Sequence, residues 1–108
     1  MKGTNLGEFE EVVLLAVAIR SGEAYGAAVT VEIEQQMGRS VTLGAVHSAL
    51  HRLQEKGLVR SQLGGMTAER GGRRKRLYAV TAAGQRALQE IRQMRNQMWE
   101  AIPQNAWT

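Results

Sequence analysis

The sequence of 108 residues predicts one mainly α-helical domain with a single small β-hairpin ahead of a long last helix. Three observations predict it. Apolar residues recur at spacings of three and four in four separate segments, the mark of helices with one buried face. Between the third and fourth segments two short β-type runs flank a glycine-rich stretch, as in a hairpin. A hydrophobic content of 44%, with no internal repeat or low-complexity tract, supplies one modest core.

The first helix is expected over Glu8 to Arg20. Phe9, Val12, Val13, Ala16 and Ile19 form its stripe, which Leu14, Leu15 and Val17 widen. Its acidic residues sit in the first turn, where the helix dipole favours them, and Ser21-Gly22 ends it. A second helix spans about Gly26 to Met37, with Val29, Ile33 and Met37 on one side and Gly38 as its stop. The third starts after Thr42, a good N-cap, and ends at Gly57. Val46, Leu50 and Leu53 share its inner face. At 100° per residue Gly44, His47, Ser48, His51, Arg52 and Glu55 lie opposite.

Leu58 to Leu63 and Lys75 to Val80 read as the strands, joined by a glycine-bounded, arginine-rich tip. Thr81 caps the last helix, which runs to about Ala101 with Pro103 just beyond. Its stripe is Leu88, Ile91, Met94, Met98 and Ile102. That stripe, together with the wide apolar first helix, is more surface than a chain of this size covers alone. The heptad-like spacing therefore predicts a homodimer, with Phe9, Val13, Leu88, Ile91, Met94, Met98 and Ile102 at its interface. Residues 1–81 form the first unit and residues 82–108 the dimerisation helix and tail, packed as one body.

Charge is unevenly placed. Residues 39–76 carry nine basic side chains against Glu55 and Glu69, a net of +7, although the whole chain is only +4. Such polarity points to a polyanionic partner, most often nucleic acid. Zero cysteines exclude a disulfide framework and cysteine-ligated metal sites. His47 and His51 lack the third ligand and following glutamate of a metal motif, so no metal and no cofactor is expected. No nucleophile and base can be assembled, which argues against an enzyme. The longest apolar run, Val12 to Ile19, is far short of the roughly 20 residues that span a bilayer. A cytoplasmic, nucleoid-associated protein with no membrane partner is the expectation.

Helix, helix, helix, hairpin, helix is the layout of a winged helix-turn-helix, in which the third helix enters the major groove and a basic wing grips the flanking backbone of double-stranded DNA. Thr42, Gly44, His47, Ser48, His51 and Arg52 are the candidate reading residues, small or able to donate hydrogen bonds to base edges and phosphates. Arg73, Arg74, Lys75 and Arg76 are the candidate phosphate clamp. The alternative is a winged helix used for protein contacts without DNA.

Six short stretches resemble PadR-type transcriptional regulators, in order over roughly residues 6–100. They are Leu6-Gly7-Glu8-Phe9-Glu10, Glu23-Ala24-Tyr25-Gly26, Leu43 to Leu53, Glu55-Lys56-Gly57-Leu58-Val59, Gly71-Gly72-Arg73-Arg74-Lys75-Arg76, and Thr81-Ala82-Ala83-Gly84. The resemblance implies a homodimer on a pseudo-palindromic operator, usually as a repressor, with a C-terminal helix pairing with its counterpart. It also implies that Tyr25 lies near the DNA backbone. His47 stands where the family pattern has tyrosine. The short C-terminal region matches the short branch of the family, in some members of which the dimer encloses a pocket for planar aromatic effectors. Trp99 is the candidate to line it.

Overall fold

The computed structural model describes residues 6–66 and 74–107. In chain order it holds α1 (Glu8–Ile19), α2 (Gly26–Met37), α3 (Leu43–Glu55), β1 (Val59–Met66), β2 (Arg74–Val80) and α4 (Ala82–Ala101), then a short 3-10 turn at Gln104–Trp107. The expected element order therefore holds.

Local chemistry accounts for the boundaries. Thr42 Oγ1 accepts from the Ala45 N–H at 3.1 Å, closing one of the open donors at the start of α3. Gly22, Gly38 and Gly57 hold φ of +87°, +70° and +76°, where a side chain would be strained, and each lies just after a helix. Thr81 makes the tightest junction. Its hydroxyl donates to the Gly57 carbonyl at 2.7 Å and accepts from the Gly84 N–H at 3.1 Å, while its own N–H donates to Leu58 O at 3.0 Å.

The core lies between the first three helices and the hairpin: Val13, Leu14, Val17, Val29, Ile33, Val46, Leu50 and Leu53 are essentially inaccessible. Strands β1 and β2 pair antiparallel from Val59↔Val80 to Met66↔Arg74, with an irregularity after Leu63. Strand β1 runs on past the expected end at Leu63 to Met66, and Gly64 lies close to the Lys75 carbonyl and the edge of the Tyr25 ring. The hairpin is also extended sideways. Tyr25 bridges Leu77 and the Tyr78 N–H donates to Ala24 O at 3.0 Å, so the entry to α2 acts as a third strand edge.

On α1 and α2 two stripe residues fall outside the core. Ile19 is 55% exposed at the end of α1, and Met37 is exposed in the last turn of α2. Val13 corrects the expected interface. It is fully buried within the chain's own core and has no surface to offer a second copy. Ile91 is likewise buried against its own chain, whereas Met94, Met98 and Trp99 are exposed.

The outline is elongated, 61 × 29 × 20 Å with a radius of gyration of 16.3 Å, against about 13 Å for a compact chain of this length. The far half of α4 causes this by projecting beyond the core. It stays tethered near its middle, where Arg95 Nη2 donates to Glu11 Oε1 at 2.9 Å. No helix among the described residues is long and apolar enough to cross a membrane.

Candidate nucleic-acid interface

Helix α3 divides cleanly. Val46, Ala49, Leu50 and Leu53 are fully buried, and Gly44, His47, Ser48, His51, Arg52 and Glu55 are exposed. Gly44 has open space where a Cβ would stand, so the backbone at the start of α3 presents a flat approach. Small residues of this kind let a helix come close to base edges.

Contacts on the neighbouring elements tie this face to the hairpin. The His47 imidazole lies on Gly26, where an added Cβ would come within 2.8 Å of the ring. Tyr25, the N-cap of α2, carries Lys75 Nζ 5.7 Å from its ring centroid, a cation–π arrangement. A second tie runs from the wing to the end of α3: Arg76 Nη1 donates to Ser61 Oγ at 3.0 Å, and Ser61 Oγ donates to Gln54 Oε1 at 3.1 Å. His47, Tyr25 and Lys75 thus stand on one continuous side, while Arg76, next along β2, points to the other face of the hairpin, toward Ser61. Arg74 pairs through its backbone at the end of β2, and Arg73 lies outside the described residues.

The basic block itself does not act as one surface. Arg52 Nε and Lys56 Nζ each lie 2.7 Å from a carboxylate oxygen of Glu10, which is buried in the first turn of α1 and also accepts from the Gly7 N–H at 3.3 Å. Burial works to raise the Glu10 carboxyl, but hydrogen bonds from Lys56, Arg52 and Gly7 outweigh it and hold it below the usual range. Arg52, expected as a reading residue, therefore has its Nε committed to Glu10 while remaining half exposed. Arg39 lies on the rim of a groove of about 320 Å³ with Glu8, Glu11 and Arg95, beside α1 and α4. Among the described side chains, the wing cation tied to the outward face of α3 is Lys75, through Tyr25 and Gly26.

Glu10 has no sequence signature of this role, since an acidic residue in a first turn is fully explained by the helix dipole. A lowered folded-state value means the Glu10 ties stabilise the protein above the ordinary carboxylate value of 4.5 and are lost as pH falls through the lowered one. Glu32, held down by Gln36 and Arg20, acts in the same direction. Glu10→Gln is expected to cost about 1 kcal/mol at neutral pH, because its partners are half exposed. It should also flatten the loss of stability below pH 4.5. Thermal melts across pH 3 to 7 check both, and an unchanged acid limb would contradict the assignment.

Trp99 is exposed on α4, and its ring centroid lies 6.5 Å from that of Trp107 at an interplanar angle of 32°. The 3-10 turn folds the tail back to make that pair, which a plain tail after Pro103 did not suggest. Among the described residues no three His, Asp or Glu side chains converge to hold a metal ion.

Residues 14–90 match the family model for the transcriptional regulator PadR-like family. The fold is similar to that of RosR from H. salinarum, at 24% identity and a TM-score of 0.72, covering 94% of this chain and 84% of that one. It is similar also to a PadR-like transcriptional regulator from Bacillus cereus, at 22% identity and a TM-score of 0.67, covering 85% and 84%. Bacillus subtilis PadR, solved in complex with operator DNA, aligns at 18% identity and a TM-score of 0.64, over 90% of this chain but 49% of its own. At these identities the solved structures establish the fold alone. No curated protein is similar in sequence at a significant level.

Proposed function

The chain belongs to the PadR-like family of transcriptional regulators, and we propose that it binds double-stranded operator DNA in a sequence-specific way, as a homodimer and as a repressor. Two copies of α3 would enter successive major grooves of a pseudo-palindromic site, with half-site centres about 10 bp apart or a multiple of it. The dimer would form through the exposed stretch of α4 and the flank of α1, around Phe9, Leu88, Met94, Met98 and Ile102. A small aromatic effector would lodge near Trp99 at that seam and favour one arrangement of the two copies over another. The protein would work in the cytoplasm, on the nucleoid.

The observation that carries the reading is the run of contacts from His47 through Gly26 and Tyr25 to Lys75. It gives the outward face of α3 and the base of the wing a shared side, as simultaneous engagement of a groove and its flanking phosphates requires. Tyr25 sits at the joint, in keeping with a place near the backbone.

Replacing Arg73, Arg74, Lys75 and Arg76 together with alanine is expected to weaken binding to all duplexes alike. The slope of log affinity against log salt should fall by about 0.9 for each phosphate contact removed, hence by roughly 2 to 4. Ser48→Ala should instead alter preference among sequences, by about 1–3 kcal/mol where a base contact is lost. Titrations at several salt concentrations separate the two. A wing variant with the parental slope would remove the clamp, and a failure of the parent to enrich any duplex would remove DNA as the partner.

A further inference from the structure

His47 and His51 are the only histidines of the chain, and cysteine is absent. Apart from the terminal amine, they are therefore its only groups whose ordinary charge change falls between about pH 5 and 8. Both are exposed, one turn apart, on the outward face of α3. We propose that these two imidazoles are proton-dependent reading residues, taking up protons as α3 engages duplex DNA and so setting both affinity and base preference by pH. The proposal rests on the DNA-binding reading above.

The chemistry follows from what an imidazole can offer. A neutral ring has one donor and one acceptor, whereas a protonated ring donates from both nitrogens. Protonated rings suit guanine N7 and O6 or phosphate oxygens; a neutral ring can also accept from adenine N6 or cytosine N4. The approach of a polyanion favours the charged form.

The surroundings of each ring decide their shares. His51 Nε2 lies 3.4 Å from Glu55 Oε2, and both side chains are exposed, at 74% and 66%. Glu55 thus puts a carboxylate on the very face that would meet the duplex, where it repels phosphate. A proton on His51 cancels that charge, so uptake there both adds a donor and removes a repulsion. His47 is set differently. Its ring rests on Gly26 at the start of α2, next in the chain to Tyr25, whose own ring carries Lys75 of β2. Among the described residues no ion pair joins His47 to a carboxylate, as one joins His51 to Glu55. His51 therefore carries the larger share and His47 the smaller.

The test uses the full chain and a duplex enriched by the parent from a pool randomised over roughly three helical turns. Affinity should rise as pH is lowered from about 8 to 6, by up to about tenfold per pH unit for each proton taken up. The double variant His47→Gln with His51→Gln should bind with a flat profile, which also disposes of the terminal amine as the source. His51→Gln alone should remove most of the slope. Glu55→Gln should bind more tightly than the parent at pH 8 and show a shallower rise. A parental profile that is flat, or one that the double variant reproduces, overturns the proposal while leaving DNA binding intact. Failure to enrich any duplex overturns both.

Discussion

Gly84→Ala is expected to destabilise the protein by about 3 kcal/mol, lowering Tm by roughly 10–20 °C for a domain of this size. Gly84 is buried in the first turn of α4, and a Cβ there would collide with the Leu58 carbonyl oxygen and stand 2.8 Å from Val80 Cγ1. The carbonyl cannot step aside cheaply, because Leu58 O already accepts from the Thr81 N–H. Gly44→Ala supplies the contrast. Its Cβ would meet nothing within 4 Å, so relief of helical glycine should leave the fold as stable or up to about 1 kcal/mol more so. Paired thermal melts decide the matter. Equal Tm values for the parent and Gly84→Ala would show that the α4 junction is not packed as described.

The second large effect lies at the far end of α4. Met94→Asp combined with Met98→Asp is expected to yield a folded monomer with half the parental mass in sedimentation. Both methionines are already exposed in the single chain, so charge there should leave its core and its Tm as monomer intact. Operator affinity should fall by about 10²- to 10⁴-fold, the loss expected when two linked reading helices become independent. Methionine packs adaptably, which makes a single milder substitution a weaker probe. A variant that remains dimeric, or a monomer that binds the operator as the parent does, would move the interface elsewhere.

Much of this architecture was legible in the sequence because its determinants are local. Thr42 and Thr81 announce helix starts through a hydroxyl that reaches only three residues along the chain. Gly38 and Gly57 mark helix ends through a backbone angle that few other residues adopt. The outward face of α3 followed from period alone. What stayed hidden depends on residues far apart in the chain. Glu10 meets Arg52 and Lys56 across more than 40 positions, so the two cations look like part of a phosphate-binding run until the fold diverts them. The burial of Val13 is of the same kind: a wide apolar stripe does not say which of its edges the chain itself covers. That Tyr25 should lie near DNA is an expectation drawn from the family resemblance alone, and its union with the hairpin edge needed coordinates.

The clasp at Thr81 has a mechanical consequence. Three hydrogen bonds at one residue tie the winged-helix head to the start of α4, so tilting that helix carries the head with it. At 20 residues the helix is about 30 Å long, which makes it a lever that pivots at its far end and carries the head at the other. Tilting it by about 10° sweeps the head through roughly 5 Å, beyond the reach of any hydrogen bond to a base edge. In the proposed dimer, slight adjustments where two such levers cross would be enough to put both heads in step, or out of step, with the turns of a double helix.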